Sequence, residues 1–192
     1  EIDQLLRGME EGAKRTVEIV KGLRLFSRVD EQDVKRVDIH DGINSTLILL
    51  NSSMSGKIQV YKEFGSIPII ECLPGKLNQV FMNIITNAIH ALLENLDKIP
   101  EPKITIRTIH VGEKIRIEIE DNGFGMPAHV KQRIFEPFFT TKAVGKGTGL
   151  GLSIVYTIIE NHKGTLEVST EQGKGTNFII TLPIYQNIQQ HD

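Results

Sequence analysis

A glycine-rich segment constrains the fold of this chain more than any other feature, and it reads Gly145-Lys146-Gly147-Thr148-Gly149-Leu150-Gly151-Leu152. The residues from 152 to 159 that follow it show an apolar periodicity that predicts an amphipathic helix. Glycine lets backbone N–H groups approach a ligand closely, and the first turn of a helix adds unpaired N–H groups and a dipole that favours an anion. The segment therefore predicts a phosphate-binding loop, whereas glycine content alone would indicate only a flexible loop.

The spelling of the glycine segments excludes two commoner phosphate-binding motifs. A P-loop requires Ser or Thr directly after its Gly-Lys pair, and none of the Gly-Lys pairs in this chain is followed by either residue. A dinucleotide fingerprint, G-x-G-x-x-G, would place its third glycine at Leu150 or Leu152. A different nucleotide-binding architecture is therefore needed to explain the segment.

The composition is that of a globular protein, with 40% hydrophobic and 24% charged residues. Because the net charge is −2, we expect no nucleic-acid binding and no membrane contact by this chain. Cys72 is the only cysteine, which excludes an internal disulfide and fits a reducing, cytoplasmic location. The chain begins at Glu1 within a helical pattern, so we expect a fragment of a longer parent protein whose remaining part is a candidate for a membrane anchor.

Four regions follow from the pattern along the chain. Residues 1–28 carry apolar residues at alternating spacings of four and three, a heptad seam that further apolar residues widen as in a helix of a multi-helix bundle. Such a helix must bury its stripe against a partner, and the alternative is that it folds back on its own domain. We assign residues 29–35 to a polar linker, residues 36–184 to a globular domain and residues 185–192 to a tail.

The globular domain alternates between helical and strand patterns. Helices are predicted at 39–50, with Asp38 as the cap, and at 75–93. Strands are predicted at 59–64, at 104–108 and 115–119 around Gly112, and at 165–170 and 176–182 around residues 173–175. The predicted fold class is α+β, a two-layer sandwich in which helices cover a mixed, mainly antiparallel sheet.

Two polar positions of the predicted long helix are candidates for metal binding. Asn83 and Asn87 lie four residues apart and so on one face, beside the apolar stripe. An amide carbonyl is a hard ligand that suits Mg²⁺, which also keeps waters and phosphate oxygens. The alternative is that both amides are satisfied by neighbouring backbone groups.

Asp121-Asn122-Gly123-Phe124-Gly125 follows the strand predicted at 115–119. Asp-Asn-Gly at the end of a strand is usual turn chemistry, but a carboxylate there can also accept a hydrogen bond from the exocyclic amine of adenine. Gly123 and Gly125 would let the backbone pass close to such a base, and Met126 would line an apolar base pocket or simply pack in the core.

Three phenylalanines occur within Phe135-Glu136-Pro137-Phe138-Phe139-Thr140-Thr141-Lys142. Aromatic residues in a non-periodic segment predict a small cluster that either belongs to the core or forms the hinge of a lid over a ligand. Lys142 and Lys146 are candidates for neutralising phosphate charge, and Thr148 is a candidate hydroxyl donor. Each lysine taken alone indicates only a solvated surface charge.

In their order along residues 36–184, these motifs resemble the ATP-binding catalytic domain of bacterial two-component sensor histidine kinases. Asn83-x-x-x-Asn87-Ala88 is similar to the N box, Asp121–Gly125 to the G1 box, Phe135–Phe138 to the F box and Gly145–Leu152 to the G2 box. Gly175-Thr176-x-Phe178 resembles the closing strand motif. The Phe-Phe-Thr-Thr-Lys wording is most similar to the nitrogen-regulator-like subgroup, within the superfamily of gyrase, Hsp90 and MutL.

The resemblance implies a Bergerat ATP-binding fold, with ATP and Mg²⁺ as cofactors. Asn87 would hold Mg²⁺ with support from Asn83, and Asp121 would recognise adenine, directly and through a water shared with Thr176. Asn83 and Lys142 would be the catalytic positions. The remaining residues implied to bind the cofactor are His90, Gly123, Gly125, Met126, Thr141, Lys142, Lys146, Gly147, Thr148, Gly149, Leu150 and Gly151.

The resemblance also implies partners. Residues 1–28 are similar to the second helix of the family's dimerisation and phosphoacceptor hairpin, so a homodimeric parent, a phosphoacceptor hairpin of the same family and a response regulator are expected. The first hairpin helix, with its phosphoacceptor histidine, is absent, so we expect no autophosphorylation by this fragment. The alternatives are a non-catalytic nucleotide-binding interaction module, and a superfamily ATPase or anti-sigma serine kinase. The amide at Asn83, where superfamily ATPases usually carry a catalytic glutamate, disfavours the ATPase.

Overall fold

The computed structural model describes residues 33–142 and 149–186. The helix predicted over residues 1–28 lies outside the described residues, as do most of the linker and the tail. The predicted phosphate contacts Lys146, Gly147 and Thr148 also lie outside them.

The domain contains every helix and strand that was predicted within residues 36–184, together with several short elements that were not predicted. The strands are β1 (Lys35–Val37), β2 (Gln59–Phe64), β3 (Ile70–Cys72), β4 (Lys103–Val111), β5 (Lys114–Asp121), β6 (Thr165–Glu171) and β7 (Gly175–Pro183). The helices are α1 (Ile39–Leu50), α2 (Pro74–Leu93), α3 (Ala128–Lys131) and α4 (Gly151–Asn161), with a 3-10 turn at Leu96–Lys98. Within the part of the chain that the structure describes, no helix is both long enough and apolar enough to cross a bilayer.

The main sheet has five strands in the order β2-β4-β5-β7-β6. Strands β2 and β4 are parallel and the other neighbours antiparallel, so the predicted α+β class with a mixed, mainly antiparallel sheet is confirmed. Asp121 at the end of β5 pairs with Thr176 at the start of β7. This register brings two predicted adenine contacts to one end of the sheet.

A second, two-stranded sheet joins β1 to β3 in antiparallel register. Neither strand was predicted, because each has only three residues and shows no alternation. Strand β1 begins at Lys35, so the last residue of the predicted linker already pairs with Cys72.

The core lies between helix α2 and the inner face of the main sheet. The alternating isoleucines Ile104 and Ile106 of β4 and Ile115, Ile117 and Ile119 of β5 are buried. Helix α2 packs against α1 and α4 as well as β4 and β5. Its apolar stripe is buried, and the residues of the stripe are Leu77, Val80, Phe81, Ile84, Ile85, Ala88, Ile89 and Leu92. Burial of each large side chain of this kind contributes about 1.5–3 kcal/mol.

A buried histidine fixes the start of α2. His162, only 2% exposed, donates from Nδ1 to the Ile158 carbonyl at 2.7 Å and accepts the Leu73 backbone N–H at Nε2 over 3.0 Å. Burial lowers the pKa of His162, which keeps the ring neutral with the proton on Nδ1. The end of α4 thereby satisfies an N–H at the start of α2, the helix that carries Asn83 and Asn87.

Candidate nucleotide-binding site

A cavity of about 630 Å³ opens between α2, the segment after β5, residues 139–142 and the start of α4. Most of the predicted site residues within the described chain line it. They are Asn83, Asn87, His90, Asp121, Gly125, Met126, Thr141, Lys142, Gly149, Gly151 and Thr176. Gly123 and Leu150 are not among the lining residues. The functional roles assigned to all of these residues stay predictions.

The Asp121 carboxyl group lies at one end of this cavity and is 6% exposed. Its Oδ1 accepts the backbone N–H of Gly123 at 2.8 Å, and the backbone N–H of Thr176 also donates to the carboxyl group. Burial raises its pKa to about 6, while the two N–H donors act in the opposite direction. Above pH 6 the cavity therefore presents a desolvated carboxylate that is held in place by backbone groups.

The hydroxyl of Thr170 braces the wall beside Asp121. It accepts the backbone N–H of Met126 at 2.9 Å, donates to the Gly175 carbonyl at 3.0 Å and lies 3.2 Å from the hydroxyl of Thr176. Thr170 was not predicted as a site residue, because a threonine within an alternating strand looks like ordinary β-sheet composition.

Gly125 is required for the packing of the protein itself. Its φ is +62°, and a Cβ there would lie 2.1 Å from the carbonyl oxygen of Glu171. The neighbouring Phe124 carbonyl accepts the Gly173 backbone N–H at 2.7 Å. The segment after β5 is therefore held against the β6–β7 hairpin by a close approach of backbone to backbone.

The two asparagines of α2 differ in what they contact. Asn83 donates from Nδ2 to the carbonyl oxygen of Gly151 at 3.2 Å and so ties α2 to the start of α4. Within the described residues, no hydrogen bond involves the side chain of Asn87, which lines the cavity. Its carbonyl oxygen can therefore serve as a ligand, and this oxygen fits the hard-ligand preference of Mg²⁺. Among the residues described, no group of three His, Cys, Asp or Glu side chains could hold a metal ion.

His90 and Lys142 meet at the cavity wall. Lys142 Nζ donates to His90 Nδ1 over 2.7 Å. Burial lowers the pKa of both side chains, and the Lys142 charge lowers that of His90 further, whereas Glu94 acts to raise both. Glu94 was not predicted, although its position four residues after His90 places it on the same face of α2.

The glycine segment re-enters the described chain at Gly149, which packs against Phe138. The Phe138 backbone N–H donates to the Gly149 carbonyl at 2.9 Å, and a Cβ on Gly149 would lie 2.3 Å from the Phe138 carbonyl carbon. Both residues have positive φ, +66° and +67°.

The phenylalanine cluster that was expected is only partly formed. Phe135 and Phe139 pack against the core, but Phe138 is 73% exposed. Arg133 lies 4.4 Å above the Phe139 ring. The aromatic segment thus anchors residues 135–139 beneath the cavity while Phe138 holds the contact to Gly149.

Comparisons with known proteins decide the family. The family model described as "Histidine kinase-, DNA gyrase B-, and HSP90-like ATPase" matches residues 72–186. The chain belongs to this family. The structure resembles the catalytic domain of histidine kinase ThkA in a nucleotide-free form, with a TM-score of 0.70 and 28% identity over 81% of this chain and 98% of that one.

Curated relatives narrow the family to sensor kinases. The chain is 35% identical to the sensor kinase CckA of Brucella abortus, over 93% of this chain and 20% of that protein. It is 33% identical to the sensor histidine kinase ZraS of Escherichia coli K12, over the whole of this chain and 40% of that protein. The chain therefore spans between a fifth and two fifths of the length of these relatives. It is an ATP-binding catalytic domain of the sensor histidine kinase type, as the motifs predicted.

Proposed function

We propose that this domain binds ATP with Mg²⁺ in the cavity and transfers the γ-phosphoryl group to a histidine on a phosphoacceptor hairpin. A response-regulator aspartate would then receive the group. The observation that carries the proposal is the polarity of the cavity walls. A buried, backbone-held carboxylate lies beside Thr176, while Asn87, His90 and Lys142 contribute an amide and basic groups from α2 and the segment after Phe139.

In this proposal, the residues of the cavity contribute binding and positioning to the reaction. Asp121 would accept a hydrogen bond from the adenine amine, and the amide oxygen of Asn87 would hold Mg²⁺, which would neutralise phosphate charge. Lys142 would place a cation at the phosphates, and the glycine-rich segment would offer backbone N–H groups to them, as its sequence predicts. Phosphoryl transfer depends mostly on positioning and on charge neutralisation, so these contributions supply most of what the step requires.

In the same proposal, a longer parent protein supplies the phosphoacceptor histidine and the dimer contacts. In the proposal, residues 1–28 form the second helix of a dimerisation hairpin in a homodimer, and the histidine lies on the preceding helix. The fragment alone would bind nucleotide without autophosphorylation. A cytoplasmic location and membership of the nitrogen-regulator-like subgroup belong to the same proposal.

The proposal is tested by phosphotransfer in trans. The chain is mixed with γ-labelled ATP, Mg²⁺ and the complete phosphoacceptor hairpin of its parent protein, and acid-labile label on the hairpin histidine is measured. We expect labelling that is lost in Asp121→Asn and kept in Asp33→Asn, a matched change at an exposed aspartate. Nucleotide binding without any labelling would favour the interaction module instead, and acid-stable label on serine would favour the anti-sigma kinase.

A further inference from the structure

The single proton of the Thr170 hydroxyl has a defined direction. Its oxygen accepts the Met126 N–H, and of its two other neighbours the Gly175 carbonyl, at 3.0 Å, can only accept. The proton of Thr170 therefore goes to Gly175, because two oxygens at this distance without a hydrogen between them would repel each other.

The proton of Thr176 follows from this assignment. With the Thr170 proton committed to Gly175, the 3.2 Å contact between the two hydroxyls requires Thr176 to be the donor. Thr170 then makes one donated and two accepted hydrogen bonds, which is its full capacity. Thr176 lines the cavity, and a hydroxyl proton committed to Thr170 leaves only lone pairs for a ligand.

Two acceptors are thereby placed side by side in the cavity wall. Thr176 is paired in register with Asp121, and its backbone N–H donates to the Asp121 carboxyl group. The ionised carboxylate is an acceptor as well. A wall of acceptors suits a base edge that donates, such as the 6-amine of adenine, and disfavours one that carries a carbonyl at the same position.

We propose that Thr170 is a positioning residue that sets the base specificity of this site by holding the Thr176 hydroxyl as an acceptor. Thr170 itself does not line the cavity, so it acts through Thr176 rather than on the ligand. The inference rests on the proposed nucleotide-binding function and adds the residue that makes the site discriminate between a 6-amino and a 6-oxo purine.

The test compares ADP with inosine diphosphate, which differ at position 6 of the purine and share their phosphates. Affinities are measured by calorimetric titration for the 192-residue chain and for the Thr170→Val and Thr170→Ser variants. The isosteric valine frees the Thr176 proton to turn into the cavity, so we expect the preference for ADP to fall about fivefold to tenfold. Serine keeps the hydroxyl and should keep the preference.

A purely structural role for Thr170 predicts a different result. Loss of the contacts to Met126 and Gly175 would weaken ADP and inosine diphosphate equally and leave their ratio unchanged, which would overturn the proposal. A second comparison uses a variant of Thr176, alone and combined with Thr170→Val. Thr176→Val should lower the ratio by itself, and adding Thr170→Val to it should change the ratio no further, whereas a further fall would show that Thr170 does not act through Thr176.

Three further outcomes can be told apart. If Thr170→Val does not fold, Thr170→Cys replaces the hydroxyl by a weakly hydrogen-bonding thiol of similar size, and the same fall in the ratio is expected. If the unmodified chain binds neither nucleotide, the proposed function itself fails before any variant is measured. If it binds both equally, only the specificity inference fails.

Discussion

Asp121 shows how one residue combines a structural cost with a proposed role. Its carboxyl group is 6% exposed, and burial raises its pKa from 3.8 to about 6. A raised pKa in the folded state means that the folded protein binds a proton more tightly than the unfolded chain does. The stabilisation is complete below pH 3.8 and is lost as the pH rises through about 6.

Replacement of Asp121 by asparagine should therefore stabilise the domain at alkaline pH. The amide oxygen can still accept the N–H groups of Gly123 and Thr176, and no charge is buried. A pKa of about 6 instead of 3.8 corresponds to roughly 3 kcal/mol. Urea unfolding should show a gain up to this size at pH 8 that shrinks towards pH 4, with Asp33→Asn as the unaffected control. Unfolding of Asp121→Asn at pH 8 would contradict this prediction.

Protonation of the Asp121 carboxylate should also change the preference of the site for adenine. Above pH 6 the ionised Asp121 accepts from the amine of adenine, whereas below pH 6 the protonated carboxyl can donate to a carbonyl. We expect the ratio of ADP affinity to inosine diphosphate affinity to fall as the pH drops through about 6. The ratio cancels the titration of the phosphates, which the two ligands share. A ratio that is constant between pH 5 and pH 8 would show that Asp121 does not contact position 6 of the base.

His90 and Lys142 should act as a unit on the phosphates. Because Lys142 Nζ donates to His90 Nδ1 at 2.7 Å, His90→Phe removes the group that holds the lysine. We expect about fivefold weaker binding of a non-hydrolysable ATP analogue, and almost no effect of the same change in a Lys142→Met background. His129→Phe, at an exposed histidine, serves as the control. Additive losses would mean that His90 contacts the phosphates directly.

At the scale of elements, the contact between Phe138 and Gly149 fixes the position of the chain directly before α4. Gly149 and Gly112 both have positive φ, +67° and +60°. They differ in surroundings, since a Cβ at Gly149 would lie 2.3 Å from Phe138, whereas nothing lies within 4 Å of one at Gly112.

An alanine at each glycine separates backbone strain from crowding. Gly112→Ala should cost about 1 kcal/mol through its positive φ alone, and Gly149→Ala should cost about 1–3 kcal/mol more because Phe138 must move. Urea unfolding gives both values, and titration with the ATP analogue should show weaker binding only for Gly149→Ala. Equal destabilisation by the two variants would contradict the crowding at Phe138.

The extent of each pattern decided which elements could be predicted from the sequence. Helix α2 was predictable because its apolar stripe repeats over 20 residues, and the same periodicity left Asn83, Asn87 and His90 together on the cavity face. Strands β1 and β3 have three residues each, which is too short for alternation to appear. The role of Thr170 was also hidden, because its partner Met126 lies 44 residues away and only folding brings them together.

At the scale of the whole molecule, the chain corresponds to one domain of its longer relatives. It spans between a fifth and two fifths of the sensor kinases it resembles, and the phosphoacceptor histidine of the proposal lies outside it. The candidate nucleotide site lies entirely within this chain. Asp121, Asn87, His90 and Lys142 line one cavity, and we propose that this cavity binds ATP together with Mg²⁺.

The measurement that tests this claim most directly is a calorimetric titration of the chain with a non-hydrolysable ATP analogue, with and without Mg²⁺. We predict binding that Mg²⁺ strengthens. Asp121→Asn should abolish this binding, and in Asn87→Ala the binding should no longer depend on Mg²⁺. Absence of binding in both conditions, or binding that is indifferent to Mg²⁺ and to both substitutions, would contradict this claim.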